Sequence, residues 1–132
     1  MFREVQILVI GDLMLDKYIG GTVERISPEA PCPVFSKKSV TNQLGGAANV
    51  AAQLKQLGAN VILAGCVAND EAGKTLIDIA KDRHILTELI SIDKTKTTVK
   101  SRFIANTHQQ VMRLDDEQIE IETTGSIIDN VY

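Results

Sequence analysis

The order of apolar segments along this chain constrains its fold more than any other feature. Val5–Ile10 (VQILVI) is a short, β-branched run that ends at Gly11, and Asn60–Val67 (NVILAGCV) repeats the pattern. Runs of this length and type are typical of strands buried on both faces of a parallel sheet. Thr87–Ile92 predicts a third short strand of the same sheet.

The two segments between these runs have helical periodicity, so the chain alternates strand, helix, strand, helix, strand. Gly58 is expected to end the first helix in the left-handed conformation. The second helix is predicted over Asp70–His84, with Asn69 or Asp70 as its N-cap. The alternation predicts an α/β fold with a parallel sheet and right-handed crossovers. The apolar stripes expected to face the sheet are Ala47, Val50, Ala51, Leu54 and Leu57 in the first helix and Ala72, Leu76, Ile77 and Ala80 in the second.

Residues 17–40 interrupt this alternation. The three prolines of the chain are clustered there between Pro28 and Pro33, and they exclude a helix. The flanking segments Tyr18–Val23 and Val34–Val40 are therefore predicted to form short edge strands joined by an extended link.

Residues 97–116 also differ, because apolar and polar residues alternate there as in a strand exposed on one face. The alternation places Lys100 and Arg102 on one face, and the polar segment Asn106–Gln109 predicts the turn of a hairpin. Arg113 follows on the returning strand, and the pattern leaves open whether it shares that face. Such a cluster of cations suits a phosphate group. The alternative is an ordinary solvated β face.

Two carboxylates, Asp12 and Asp16, follow the first predicted strand in the segment GDLMLD. Ligands of open α/β sheets bind outside the carboxyl ends of the strands. Carboxylates at that position would accept hydrogen bonds from polyol hydroxyls, each worth roughly 1.5–3 kcal/mol. The alternative is that Asp12 caps a turn and Asp16 lies in a solvated loop.

A second candidate site is the segment GGAAN, which contains Gly45, Gly46 and Asn49. Two glycines before a helix let a ligand approach the backbone, where free N–H groups point outward. Asn49, one turn later, is able to donate and accept at the same ligand. The alternative is a tight entry into the helix with Asn49 on a solvated face. Neither GDLMLD nor GGAAN is a nucleotide-binding fingerprint of the GxGxxG or GxxxxGK[ST] type.

The composition of the chain limits which partners and which kinds of site are expected. Lys and Arg number 14 against 17 Asp and Glu, a net charge of −3, so neither nucleic acid nor an anionic membrane is an expected partner. No apolar run approaches the ~20 residues that a membrane span needs. The two cysteines form no CxxC pair and only two histidines are present, so no metal site is predicted. A cytoplasmic protein with reduced thiols is expected.

Together, the segments GDLMLD, GGAANVAAQLKQLGA and GCVANDEAGK resemble the start of the ribokinase-like (PfkB) carbohydrate kinases. The resemblance implies that Asp16 binds sugar hydroxyls, with Asp12 as a neighbour, and that Gly45, Gly46 and Asn49 line the sugar pocket. It gives the loop from Gly65 to Gly73, with Asp70, a structural role. Ala68 stands where many members of the family have glycine. These residue assignments are what the resemblance implies.

Within the family, Arg25–Val34 (RISPEAPCPV) and Lys100–Glu117 (KSRFIANTHQQVMRLDDE) are similar to the heptose 7-phosphate kinases, whose bifunctional form also contains an adenylyltransferase. This similarity implies ATP-dependent phosphorylation of the anomeric hydroxyl of D-glycero-D-manno-heptose 7-phosphate, on the route to ADP-heptose and lipopolysaccharide. Lys100 and Arg102, and less strongly Arg113, are the expected contacts of the 7-phosphate.

The GAGD motif that supplies the catalytic base of the family does not occur in the 132 residues. We therefore expect this chain to contain no catalytic residue and to lack the ATP-binding half of the domain. ATP and Mg²⁺ are expected cofactors of the full-length enzyme, and neither is expected to bind this chain tightly. The chain is expected to be inactive alone.

The resemblance implies a ribokinase-like parallel sheet with flanking helices, N-terminal half only, plus a small β lid. Its expected core is 1–16 and 41–96, and its expected lid is 17–40 and 97–116. The lid is expected to form a homodimer contact. Two other functions remain open: a family member that phosphorylates another sugar or a nucleoside, and a non-catalytic sugar-binding or oligomerisation module.

Overall fold

A computed structural model of the protein describes residues 5–106 and 108–117. The helix that the sequence suggested near residues 126–132 lies outside these residues. Within them the chain forms seven strands and two helices. These are β1 (Gln6–Ile10), β2 (Leu13–Ile26), β3 (Pro33–Gly46), α1 (Ala47–Gln56), β4 (Asn60–Ala68), α2 (Glu71–Asp82), β5 (Leu86–Lys94), β6 (Thr98–Ala105) and β7 (Gln109–Asp116).

Three strands, in the order β1-β4-β5, form a parallel sheet that we call the core sheet. The predicted alternation of strands and helices is thereby confirmed. Val61, Leu63 and Val67 alternate along β4 and pack in one apolar cluster with side chains of both helices. Both helices therefore cover the same face of the core sheet, as two right-handed crossovers in one direction require. The helix residues buried in this cluster are Ala48, Ala51, Ala52, Leu76 and Ala80.

The prediction that β1 is buried on both faces is wrong. Ile7 and Val9 pack against the apolar cluster, whereas Leu8 and Ile10 are exposed. Leu8 and Ile10 point to the other face of the core sheet, away from the two helices. An apolar run alone does not indicate whether a second layer covers that face.

The apolar stripe predicted for α1 is partly wrong. Val50 and Leu57 are half or more exposed, while Ala48 and Ala52 are buried in their place. The small alanine side chains let α1 lie close against the sheet, so its contact face is rotated from the one that the larger side chains suggested. Gly58 has a φ of 93°, which confirms the predicted left-handed helix end.

The other four strands form a mixed sheet in the order β3-β2-β6-β7, which we call the lid sheet. β2 and β3 are antiparallel, β2 and β6 are parallel, and β6 and β7 form the predicted hairpin. The prediction of two short edge strands in residues 17–40 is wrong, because β2 and β3 each have 14 residues. Moreover, β2 lies inside the sheet between β3 and β6. The prolines interrupt the strand structure only in the connection 27–32, and Pro33 is the first residue of β3.

Candidate functional site

Asp12 and Asp16 lie where the chain passes from the core sheet to the lid sheet. Asp12 is exposed in the short connection between β1 and β2, and its carbonyl oxygen accepts a hydrogen bond from Ala47 N at 3.0 Å, at the start of α1. Asp16 was expected either in a loop or as a ligand beyond β1. It lies within β2, paired with Gln43 of β3 and Lys100 of β6. Its backbone is therefore held by strands on both sides.

The chain packs so closely around Gly45 and Gly46 that neither position has space for a side chain. A Cβ atom on Gly45 would lie 2.8 Å from Met14 Cγ and 3.0 Å from Asp16 Cγ, so a larger residue would displace the carboxylate. Gly46 has a φ of 56°, a conformation that favours glycine, at the point where β3 ends and α1 begins. Asn49 is exposed in the first turn of α1. The two predicted motifs thus meet through Asp16 and Gly45.

Arg102 forms an ion pair with Asp16. Arg102 Nη1 lies 2.9 Å from Asp16 Oδ1, and the two side chains are only 23% and 18% exposed. The neighbouring Asp16 carboxylate raises the pKa of Arg102 against the opposing effect of burial, so the guanidinium stays charged. The guanidinium also lies 5.3 Å from the centre of the Tyr18 ring, within the range of a cation–π interaction.

Both atoms of this ion pair retain hydrogen-bonding capacity. Asp16 Oδ1 and Arg102 Nη1 are buried, and apart from each other they have no hydrogen-bond partner among the described residues. Buried charged groups of native proteins usually make more than one hydrogen bond, so the remaining donor and acceptor positions of this pair are suited to bind water or a ligand. An acceptor beside a cationic donor is chemically suited to a hydroxylated, negatively charged ligand.

Lys100 and Arg113 extend the cationic face around Arg102. Lys100 is partly buried and pairs with Asp16 across the sheet. Arg113 pairs with Arg102, so the register places it on the same face, a point that the sequence left open. Arg113 is half-exposed, however, and makes contacts of 2.9 and 3.0 Å with Asp115. The guanidinium of Arg113 is therefore already paired with a carboxylate of its own strand.

Comparison with known proteins gives the family. Residues 5–129 match the model of the pfkB family of carbohydrate kinases, which is nearly the whole chain. The chain belongs to the pfkB family of carbohydrate kinases. This agrees with the family resemblance of its three sequence motifs.

Curated relatives in this family are similar over most of the chain. It is 45% identical to the bifunctional protein HldE of Campylobacter fetus over 126 residues, which are 94% of this chain and 27% of that protein. It is 51% identical to the bifunctional protein HldE of Helicobacter pylori over 113 residues, 85% of this chain and 24% of that protein. The chain thus spans about a quarter of the length of these relatives.

A solved structure supports the ribokinase-like fold. A carbohydrate kinase from Agrobacterium tumefaciens superimposes with a TM-score of 0.66 at 24% sequence identity, over 85% of this chain and 35% of that one. At this level of identity the likeness concerns the fold. The predicted α/β class, with a β lid beside a parallel sheet, is confirmed for this pfkB family chain.

A cavity of about 230 Å³ lies on the other face of the lid sheet. Its wall includes Lys17 and Asn42, which neighbour Asp16 and Gln43 along their strands and so point away from them. None of the eight predicted site residues lines this cavity. The candidate site of this pfkB family chain is therefore an open surface of the lid sheet, distinct from that cavity.

Sequence reasoning missed two features of this site. Tyr18 follows Asp16 by two positions on β2, and strand periodicity would have placed both on one face. The Asp16–Arg102 contact had no local signal, because it joins residues far apart in sequence. In the part of the chain described, no group of three or more His, Cys, Asp or Glu side chains is arranged to hold a metal ion. No helix in that part is long and apolar enough to cross a bilayer.

Proposed function

We propose that this chain forms the acceptor-sugar half of an ATP-dependent kinase. Its substrate is D-glycero-D-manno-heptose 7-phosphate, which is phosphorylated on the anomeric hydroxyl to the 1,7-bisphosphate, for ADP-heptose and lipopolysaccharide core synthesis. Membership of the pfkB family and similarity to HldE proteins support this function. The observation that carries it is the Asp16–Arg102 pair, with its unused hydrogen-bonding capacity beside Gly45.

The sugar hydroxyls bind at the core-facing end of the lid sheet. Asp16 accepts hydrogen bonds from one or two hydroxyls, and each such bond to a charged group is worth roughly 1.5–3 kcal/mol. The absence of a side chain at Gly45 lets the Asp16 side chain lie against the backbone of β3, and this contact fixes where the carboxylate meets the sugar. Gly46 and Asn49 provide backbone and amide groups at the start of α1, with Asp12 as a neighbour.

The 7-phosphate binds to the cationic face of the lid sheet. Arg102 and Lys100 neutralise its charge, and Arg113 contributes less because Asp115 already occupies its guanidinium. A phosphate group paired with arginine makes two parallel charged hydrogen bonds, which a neutral hydroxymethyl group cannot replace. This difference gives the site its preference for a phosphorylated heptose.

ATP and Mg²⁺ are assigned to the full-length kinase and to residues other than those described. We assign no catalytic step to the described residues. This chain alone is expected to bind ATP weakly and to be inactive. We place the kinase in the cytoplasm, where its nucleotide substrate is found.

A homodimer through the lid sheet is part of the same proposal. Val40, Met112 and Leu114 are exposed apolar residues on the face of the lid sheet opposite Asp16. Burial of such residues favours association. Sedimentation of the chain should show a dimer that Leu114→Glu converts to monomer, whereas Leu57→Glu on α1 should leave it unchanged. Identical sedimentation of the Leu114 variant and the parent would refute the lid contact.

Calorimetric titration with D-glycero-D-manno-heptose 7-phosphate tests the substrate. Saturable binding is expected, with a loss of about tenfold or more in affinity for Asp16→Ala, since one charged hydrogen bond is removed. The matched control Asp78→Ala removes an exposed carboxylate of α2 and should bind like the parent. Unchanged affinity of the Asp16 variant would overturn the sugar assignment.

A charge reversal tests the phosphate site separately. Lys100→Glu with Arg102→Glu should weaken binding of heptose 7-phosphate much more than binding of heptose without phosphate. Lys37→Glu with Lys38→Glu, both exposed on β3, is the control. Equal losses for both sugars would contradict the phosphate role. Binding of another sugar or a nucleoside in the same panel would instead favour a kinase of different specificity, and a folded chain that binds none would favour a non-catalytic module.

A further inference from the structure

One carboxylate ties together three parts of the chain that adjoin the lid sheet. Asp70 Oδ1 accepts hydrogen bonds from Gly73 N at 2.8 Å and Thr97 Oγ1 at 2.7 Å, and its Oδ2 accepts one from Thr97 N at 2.8 Å. Thr97 Oγ1 in turn accepts a hydrogen bond from Ala68 N at 2.9 Å. The end of β4, the start of α2 and the start of β6 therefore share one network, which we call the Asp70–Thr97 network.

The Asp70–Thr97 network contains more hydrogen bonds than the capping of α2 requires. An N-cap side chain ordinarily satisfies one free N–H at the helix start, and the bond to Gly73 does so. The two further bonds reach Thr97, which is almost fully buried. Burial alone raises the pKa of Asp70, but the hydrogen bonds from Thr97 and Gly73 outweigh burial, so the pKa lies below its ordinary value.

The position of Thr97 determines how β6 enters the lid sheet. β6 begins at the next residue, Thr98, and pairs in parallel with β2 so that Lys100 lies beside Asp16 and Arg102 beside Tyr18. Parallel neighbours are not joined by a tight turn that would set their register. A shift of one residue would move Lys100 and Arg102 to the opposite face of the sheet, away from Asp16.

We propose that Asp70 is a positioning residue for the candidate sugar site. Through Thr97 it anchors the first residue of β6 to the core sheet, and the anchored register brings Arg102 to Asp16. The ligand of the site rests on the proposed function, whereas the anchoring is a property of the chain itself. Asp70 touches neither Asp16 nor Arg102 and acts only through β6.

A double-mutant cycle measures this positioning without any ligand. Asp16→Ala, Arg102→Ala and the double variant are unfolded with urea, first in the parent and then in the Asp70→Asn background. The coupling between Asp16 and Arg102 should be present in the parent and reduced with Asp70→Asn, since the amide keeps one acceptor oxygen and its NH2 group cannot accept, so that at least one Thr97 hydrogen bond is lost. Glu71→Gln, the same change of charge one residue later, should retain the coupling.

Substitutions of Thr97 perturb the network less, and they test the positioning role of Asp70 even if Asp70→Asn does not fold. Thr97→Val removes the hydroxyl bonds with Asp70 and Ala68, and amide exchange of Ala68 and of residues 98–105 should accelerate by about tenfold while residues 60–67 of β4 are unchanged. Thr97→Ser should restore the parent rates. A uniform acceleration over the chain, equal effects of valine and serine, or an unchanged coupling in Asp70→Asn would each overturn the positioning role.

Heptose 7-phosphate then connects the anchor to the proposed function. Asp70→Asn should lower its affinity by about tenfold, because the site loses the alignment of Arg102 with Asp16. If the parent does not bind this sugar phosphate, the proposed function fails, and the urea cycle still decides the anchoring. If the parent binds and Asp70→Asn binds equally well, the positioning role is refuted while the proposed function stands.

Discussion

The core sheet and the lid sheet of this chain are stabilised differently. In the core sheet, β4 is buried against both helices through Val61, Leu63 and Val67. In the described part of the lid sheet, Leu13, Leu15 and Leu44 belong to that apolar cluster and Val99 packs against it. The remainder of the lid sheet is mostly partly buried in β2 and β6 and mostly exposed in β3 and β7, and it bears the charged side chains of the candidate site.

The two sheets therefore contribute to the candidate site in different ways. Apolar burial is non-directional and makes the core sheet a stable base. The lid sheet relies on strand register and charged contacts, which are directional and determine where Asp16 and Arg102 meet. The candidate site lies near the junction of the two sheets, so it combines a firm backbone with an accessible surface.

The largest effect should come from a cavity in the core sheet. Leu63 is fully buried, and Leu63→Ala should lower the free energy of unfolding by about 2–5 kcal/mol in urea denaturation. The truncation Ile26→Ala in the lid sheet, at a residue that is 64% exposed, should cost less than about 1 kcal/mol. Similar losses at both positions would contradict the contrast between the sheets.

The junction of the sheets should be sensitive to glycine replacement. A Cβ atom on Gly46 would lie 2.5 Å from the carbonyl oxygen of Asp12, and its φ of 56° is unfavourable for other residues. Gly46→Ala should therefore lower the free energy of unfolding by about 1–3 kcal/mol. Gly58→Ala, at a position with φ of 93° beyond α1, is the control for the backbone conformation alone. If Gly46→Ala lowered the free energy of unfolding less than Gly58→Ala does, the predicted clash with the Asp12 carbonyl oxygen would be refuted.

Acid should weaken the connection between the sheets. The pKa of Asp70 is lowered in the folded chain, so its stabilising effect is complete above the pKa of the unfolded chain and is lost as the pH falls through the folded value. The free energy of unfolding, measured from pH 5 downward, should fall more steeply for the parent than for Asp70→Asn. Parallel curves for the two proteins would show that Asp70 makes no such contribution.

The smallest effect is expected for an exposed ion pair of the lid sheet. Arg113 and Asp115 are neighbours on β7, and Arg113 is half-exposed. Arg113→Ala should change the free energy of unfolding by less than about 1 kcal/mol, because exposed ion pairs contribute little. Arg102→Ala in the same urea assay should cost more, since it leaves the mostly buried Asp16 carboxylate without its cation. If Arg113→Ala cost more stability than Arg102→Ala, the cation that contributes more to stability would be Arg113 on β7.

Much of the fold could be predicted from local patterns. The three parallel strands, the two helices and the β6–β7 hairpin follow from periodicities of 3.6 and 2 residues that short segments retain. The pattern also predicted Asn69 or Asp70 as the N-cap of α2, and the bond from Gly73 N shows that Asp70 is the cap. Several of the errors concern burial, since Leu8, Ile10, Val50 and Leu57 are apolar yet exposed. Local sequence does not specify which face a neighbouring element covers.

The sequence by itself determined the strands and helices of the core sheet, their alternation and the β6–β7 hairpin. Only the tertiary structure decided that β2 and β3 extend into 14-residue strands, that β2 lies inside the lid sheet and that Arg102 meets Asp16. The physical reason is that periodicity is a property of neighbouring residues, whereas strand partners and register depend on contacts between distant segments. The Asp70–Thr97 network is one such contact, and no local pattern encodes it.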